Sequence, residues 1–132
     1  SEYGTLRGLH LQKGEHAQAK LVRVIQGEVL DVVVDVRHNS NTFGKTFSLK
    51  LSAENKKMLM IPRGFAHGFV VLSETAIFTY KCDNFYNPKA ELGVIYNEPT
   101  LNIDWGVNAS DLKLSPKDLQ NKLFTDIDWG QI

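Results

Sequence analysis

Cysteine is nearly missing from this sequence: Cys82 stands alone, so no internal disulfide can form, and the chain is compatible with a reducing cytosol. An excess of charge of either sign is also missing. Fifteen Lys and Arg balance fifteen Asp and Glu, which argues against a nucleic-acid surface or a polybasic membrane patch. No apolar run approaches the roughly 20 residues that span a bilayer. There is no His-x-His pair, no Gly-rich phosphate loop, no nucleophile elbow and no Cys/His pair in local sequence. Repeats and low-complexity stretches are lacking as well. At 132 residues, 42% of them hydrophobic, the chain suits one soluble domain with a proper core and is too short for two.

What is present is period-two hydrophobicity. Lys20–Gln26 and Glu28–Val36 are rich in β-branched residues and meet at Gly27, which predicts a β-hairpin. In the second of these runs Leu30, Val32, Val34 and Val36 share one face, with Asp31 and Asp35 on the other. Further strands are expected at Lys45–Leu51, Met58–Ile61, Gly68–Leu72 and Ala76–Cys82, separated by Pro62-Arg63-Gly64 and Ser73-Glu74. Beyond Asn84 the pattern loosens. One helix start stands out, Ser115-Pro116-Lys117-Asp118, with Ser at the N-cap, Pro at the first position and a carboxylate at the third. Leu119, Leu123 and Phe124 are the expected buried stripe of that helix. Many short strands and one late helix make the fold mainly β, an antiparallel jelly-roll barrel with a short C-terminal helix.

The stretch with most chemical content is Gly4-Thr5-Leu6-Arg7-Gly8-Leu9-His10-Leu11-Gln12, which sets a guanidinium and an imidazole among strand-like apolar residues. Polar groups in such surroundings cost free energy unless they have partners or a role. Arg7 and His10 are an odd number of residues apart, so a flat strand points them to opposite faces; a bulge at Gly8 is needed to bring both into one site. Pattern alone leaves the other candidates open. Lys20, at a strand end, reads as a lysine with its head in water. His67 in Gly64-Phe65-Ala66-His67-Gly68-Phe69 reads equally well as a hydrogen-bonded core histidine or a functional one. Tyr80 shares parity with Ala76, Phe78 and Cys82 and reads as a buried tyrosine with a satisfied hydroxyl. Asp118 is explained by helix capping alone. His16 and His38 read as solvated loop residues.

Taken together, Leu6-Arg7-Gly8-Leu9-His10-x-Gln12, Lys20-Leu21-Val22-Arg23-Val24, Gly27-Glu28-Val29, Ser52-Ala53-Glu54-Asn55, Ile61-Pro62-x-Gly64-Phe65-Ala66-His67-Gly68-Phe69, Tyr80-Lys81 and Ile103-Asp104-Trp105 closely resemble the dTDP-4-dehydrorhamnose 3,5-epimerase family. The resemblance implies a cupin-type jelly-roll barrel, a cytoplasmic homodimer, and no metal or other cofactor. The implied reaction inverts C3 and C5 of dTDP-4-keto-6-deoxy-glucose through enolates, on the route to dTDP-L-rhamnose for bacterial surface polysaccharides. It also implies roles residue by residue. His10 matches the proton acceptor, Asp118 the carboxylate paired with it and Tyr80 the proton donor. Arg7, Lys20 and His67 match substrate-contacting positions, with Lys20 the first choice to stabilise the enolate. Tyr86 matches a tyrosine stacked on thymine, and Glu91 and Lys117 match further contacts to the nucleotide sugar. The chain reads as a single domain over 1–132, with the family's segment ahead of Leu6-Arg7-Gly8 expected to be lacking. A mono-epimerase or other sugar-nucleotide isomerase of the same fold, a metal-dependent cupin enzyme and a non-catalytic nucleotide-sugar-binding barrel are the alternatives.

Overall fold

A computed structural model describes residues 1–131. Eight strands form two antiparallel sheets: β1 (Leu6–Gln12), β2 (Lys20–Gln26), β3 (Glu28–Asp35), β4 (Thr46–Ser52), β5 (Met58–Ile61), β6 (Phe65–Val71), β7 (Ile77–Cys82) and β8 (Glu91–Gly93). The larger sheet runs β4-β3-β6-β1-β8 and the smaller β5-β2-β7. This is the jelly-roll arrangement expected of the sequence, with one correction at its first turn. β2 and β3 are not a hairpin. Each joins a different sheet, β2 between β5 and β7, β3 between β4 and β6. Gly27 turns the chain from one layer to the other at φ +83°, and a Cβ there would meet the Thr75 carbonyl and the Ser73 hydroxyl. Both sides of the turn alternate correctly for a hairpin, so the period carried no warning.

The larger sheet has no solvent face at its centre. Val29, Val33 and Val71 pack against Val22, Val24 and Ile61 of the smaller sheet. On the other side, Leu9, Leu11, Val32, Val34 and Val70 are covered by the C-terminal segment through Trp105, Phe124 and Trp129. That is why β3 carries valine at both parities: a strand covered on both faces needs apolar residues on each. Asp31 and Asp35 consequently lie buried rather than in water. Asp35 takes the Arg37 guanidinium bidentately at 2.9 Å and is held far below the usual carboxylate range by it, with Thr42 and Ser40 assisting.

The C-terminal segment is mostly turns. Among the described residues the one α-helix, α1 (Pro116–Leu119), is a single turn, and Leu119 and Leu123 are exposed rather than forming a buried stripe. Phe124 is buried, but from a 3-10 turn that follows. An isolated turn of four residues cannot sustain itself and depends on its cap and its tertiary contacts. Ser115 supplies the cap, accepting from the Asp118 N–H at 3.1 Å. Among the described residues, no helix is long and apolar enough to cross a membrane.

Candidate active site

A cleft of about 990 Å³ opens between the two sheets and α1, lined by Arg7, His10, Lys20, His67, Tyr80, Tyr86, Glu91, Lys117 and Asp118, among others. All nine residues singled out in the sequence come together there. Local backbone geometry achieves this for β1. The β1–β6 register slips between Arg7 and His10, so one extra residue lets both side chains reach the cleft. Gly8 sits at φ +123°, where a Cβ would lie 2.6 Å from the Gly68 Cα and 2.8 Å from the His67 carbonyl oxygen. No other residue type fits that spot without moving β6.

His10 is paired with Asp118, not left to solvent. Its Nε2 lies 2.5 Å from Asp118 Oδ1, although the two are 108 residues apart. Capping, the expectation from the sequence pattern, does not occupy the Asp118 carboxylate. Its backbone N–H is the group that Ser115 caps, while its side chain turns into the barrel and accepts from the Gly8 N–H and from Asn121. Burial opposes the charge on Asp118, yet the hydrogen bond and charge of His10 outweigh it and hold the carboxyl below its ordinary range. A carboxylate on Nε2 fixes the proton there and leaves Nδ1 as the basic nitrogen.

His67 is the register partner of His10 on the neighbouring strand and shares its face. It is buried, with Nε2 2.6 Å from Asp31 Oδ1, and Asp31 is fully buried with its Oδ2 unpartnered. Asp31 went unremarked as a site residue. The available signal was the one that marked His10, a lone ionisable group inside an apolar run.

The smaller sheet supplies the remaining groups. Lys20, at the start of β2, is half-buried in the cleft rather than free in water. Burial pushes its ammonium below the usual lysine range, partly offset by Cys82, Asp31 and Glu91. Tyr80 on β7 corrects a second expectation. It is 59% exposed, because its parity faces the open cleft rather than a closed core. Tyr86 donates its hydroxyl to Glu91 Oε2, and Lys117 Nζ reaches the same oxygen at 2.8 Å. Arg7 is exposed at the rim. Among the described residues, no three His, Cys, Asp or Glu side chains are grouped to hold a metal ion.

Fold and site together define a cupin-type barrel whose cleft presents a histidine paired with a buried carboxylate, with a tyrosine and a lysine on the opposite sheet. Comparison with known proteins narrows this further. Residues 1–126 match the family model described as dTDP-4-dehydrorhamnose 3,5-epimerase. The Escherichia coli K12 enzyme of that name is 53% identical over 125 residues, 95% of this chain and 66% of the relative. The crystal structure of the Elizabethkingia anophelis enzyme superposes with a TM-score of 0.94 at 60% identity, covering 96% of this chain and 69% of that one. A Legionella pneumophila dTDP-6-deoxy-D-glucose-3,5-epimerase, solved with dTDP-4-keto-L-rhamnose, gives 0.94 at 48% identity, covering 100% and 69%. The chain belongs to the dTDP-4-dehydrorhamnose 3,5-epimerase family. It spans about two thirds of the length of these relatives.

Proposed function

We propose that this protein catalyses epimerisation at C3 and C5 of dTDP-4-keto-6-deoxy-D-glucose, giving dTDP-4-keto-L-rhamnose for dTDP-L-rhamnose synthesis. The observation that carries the reading is the His10–Asp118 pair at 2.5 Å in a cleft that Tyr80 enters from the other sheet. A C–H bond beside a ketone loses its proton because the charge moves onto the carbonyl oxygen as an enolate. Inversion then requires a base on one face of the sugar and an acid on the other.

His10 Nδ1 takes the proton, and Asp118 stabilises the imidazolium that forms. Tyr80 returns a proton from the opposite face. Lys20 faces the enolate oxygen, a stabilisation commonly worth about 3–4 kcal/mol per well-placed donor, and His67 contacts the substrate beside it. Arg7 holds the diphosphate through its planar fork, and Tyr86, its ring half-exposed, stacks on the base. Lys117 and Glu91 complete the nucleotide-sugar contacts.

The working unit is a cytoplasmic homodimer. Supporting this, Phe47, Met58 and Met60 stand exposed on β4 and β5, an edge strand of each sheet. Sedimentation of the full-length protein at twice the monomer mass is the expected result. The reaction itself is tested with dTDP-4-keto-6-deoxy-glucose in heavy water. Deuterium is expected at both C3 and C5; incorporation at one carbon identifies a mono-epimerase, and none at either overturns the reading.

A further inference from the structure

Gln12 ends β1 on the face that carries His10 two residues earlier, and it lines the same cleft. The residue is only 8% exposed, and its amide is half used. Oε1 accepts the Asn87 backbone N–H at 3.0 Å. A backbone N–H can only donate, so this contact fixes how the amide lies, with its oxygen toward Asn87 and its amino group away. Nε2 has no hydrogen-bond partner among the described residues. It is not sealed off either, because the one sealed side-chain N or O atom without a partner among them is Asp31 Oδ2. Two N–H groups are thus left open to the cleft, where an acceptor oxygen can take them.

Asn87 directly follows Tyr86, so the amide that faces the cleft also fastens the residue next to the base-stacking ring. The segment is tied at its other end too. Gln18 Nε2 donates to the Asn84 carbonyl at 2.9 Å, and Asn84 Nδ2 to the Glu15 carbonyl at 2.9 Å. Between these ties Phe85 and Tyr86 stand 90% and 53% exposed. Aromatic side chains on a fastened loop form a platform before any ligand arrives, and a base laid on Tyr86 then rests at a set distance from Gln12.

We propose that Gln12 reads the base: its Nε2 donates to a carbonyl oxygen of the pyrimidine stacked on Tyr86. The proposal rests on the reading of Tyr86 as the base platform and goes beyond it by naming what recognises the edge of the base. The donor chemistry favours a base carbonyl over a phosphate oxygen. Diphosphate oxygens are charged, and the exposed cations Arg7 and Lys117 on the same cleft suit them. A buried, neutral donor suits a neutral acceptor, and thymine carries two such carbonyls.

The test is equilibrium binding to the full-length protein, measured by titration calorimetry with dTDP and with deoxyribose diphosphate, which keeps the sugar and both phosphates but has no base. The readout is the ratio of the two affinities. Gln12→Glu preserves an oxygen for the Asn87 N–H and replaces the amino group by a second acceptor. Its added charge weakens both ligands alike, whereas the lost donor weakens dTDP alone, so the ratio is expected to fall about tenfold. Gln12→Met lowers it at least as far, because the Asn87 tie is lost as well. An unchanged ratio in Gln12→Glu overturns the proposal even if Gln12→Met lowers it, since Gln12 would then only fasten Asn87. A measurement on the unaltered protein removes any dependence on how the variants fold. Of two dTDP analogues with sulfur, a weaker acceptor, in place of one or the other carbonyl oxygen, one is expected to bind several-fold more weakly than dTDP. Equal affinity for dTDP and both analogues overturns the proposal. Failure of the epimerase reading shows separately, as absent deuterium incorporation by the wild-type protein.

Discussion

Two histidine–carboxylate pairs stand side by side on β1 and β6, almost equal in length and different in surroundings. His10–Asp118 spans 2.5 Å and His67–Asp31 spans 2.6 Å. The His10 side chain is 27% exposed and opens on the cleft; His67 is at 8%, and its carboxylate is sealed beneath the sheet. In the proposed reaction a base exchanges its proton with a ligand and then with solvent, and the openness of the first pair permits that. The second pair is fixed by packing. Stacked near Phe78 and tied to Asp31, the His67 ring is held in one orientation. Equal hydrogen bonds thus serve different ends according to what lies on the free side of each ring.

That contrast can be broken most severely at the exposed pair. His10→Ala is expected to reduce deuterium exchange at C3 and C5 by about 10²–10⁴-fold, measured by NMR or mass spectrometry, and to lower stability less than loss of the buried histidine does, because Asp118 keeps the Gly8 N–H and Asn121. Asp118→Asn should cost a comparable share of the rate by releasing the tautomer, despite leaving the imidazole in place. At the buried pair the balance reverses. His67→Ala leaves Asp31 buried without a partner and should lower unfolding free energy by about 3 kcal/mol in urea denaturation. Tyr80→Phe removes an exposed hydroxyl and should leave stability within about 0.5 kcal/mol of wild type. Its signature is kinetic: exchange of the abstracted proton persists while inverted product falls.

The smallest expected effect is on pH dependence of stability. The Asp118 carboxyl is lowered in the folded protein, so the unfolded chain binds its proton more readily. Its contribution is therefore complete above the ordinary Asp value of 3.8 and is lost as pH falls through the lower folded value. Asp118→Asn should flatten that acid limb in denaturation measured between pH 5 and pH 2, compared with wild type.

Strand positions were legible because alternation of apolar residues is local. Met58–Ile61 is found as read, and Lys20–Gln26 likewise, whereas Phe65–Val71 begins three residues ahead of the expected Gly68. Partnership was not legible. The β2–β3 turn looks like a hairpin from its residues, and only packing decides that Gly27 carries the chain between sheets. The helix shows the same limit. Its cap was clear from Ser115 and Pro116, but its length depends on a C-terminal segment that folds over Val32 and Val34 rather than on periodicity. β8 is three residues long, too short to leave a pattern, yet it places Glu91 beside His10.

The sequence by itself determined which groups are available: a histidine and an arginine around Gly8, a second histidine between aromatic residues, a late Asp behind a Ser-Pro cap, and Asp31 among the valines of β3. Side-chain chemistry and local backbone preference are properties of a few neighbouring residues, so they can be read there. The tertiary structure alone decided which carboxylate meets which imidazole. Asp118 is 108 residues from His10 and Asp31 is 36 from His67, and packing between two sheets and a C-terminal cover brings each pair within hydrogen-bond distance. Desolvation and contact depend on the whole packed chain, and no single stretch of it contains them.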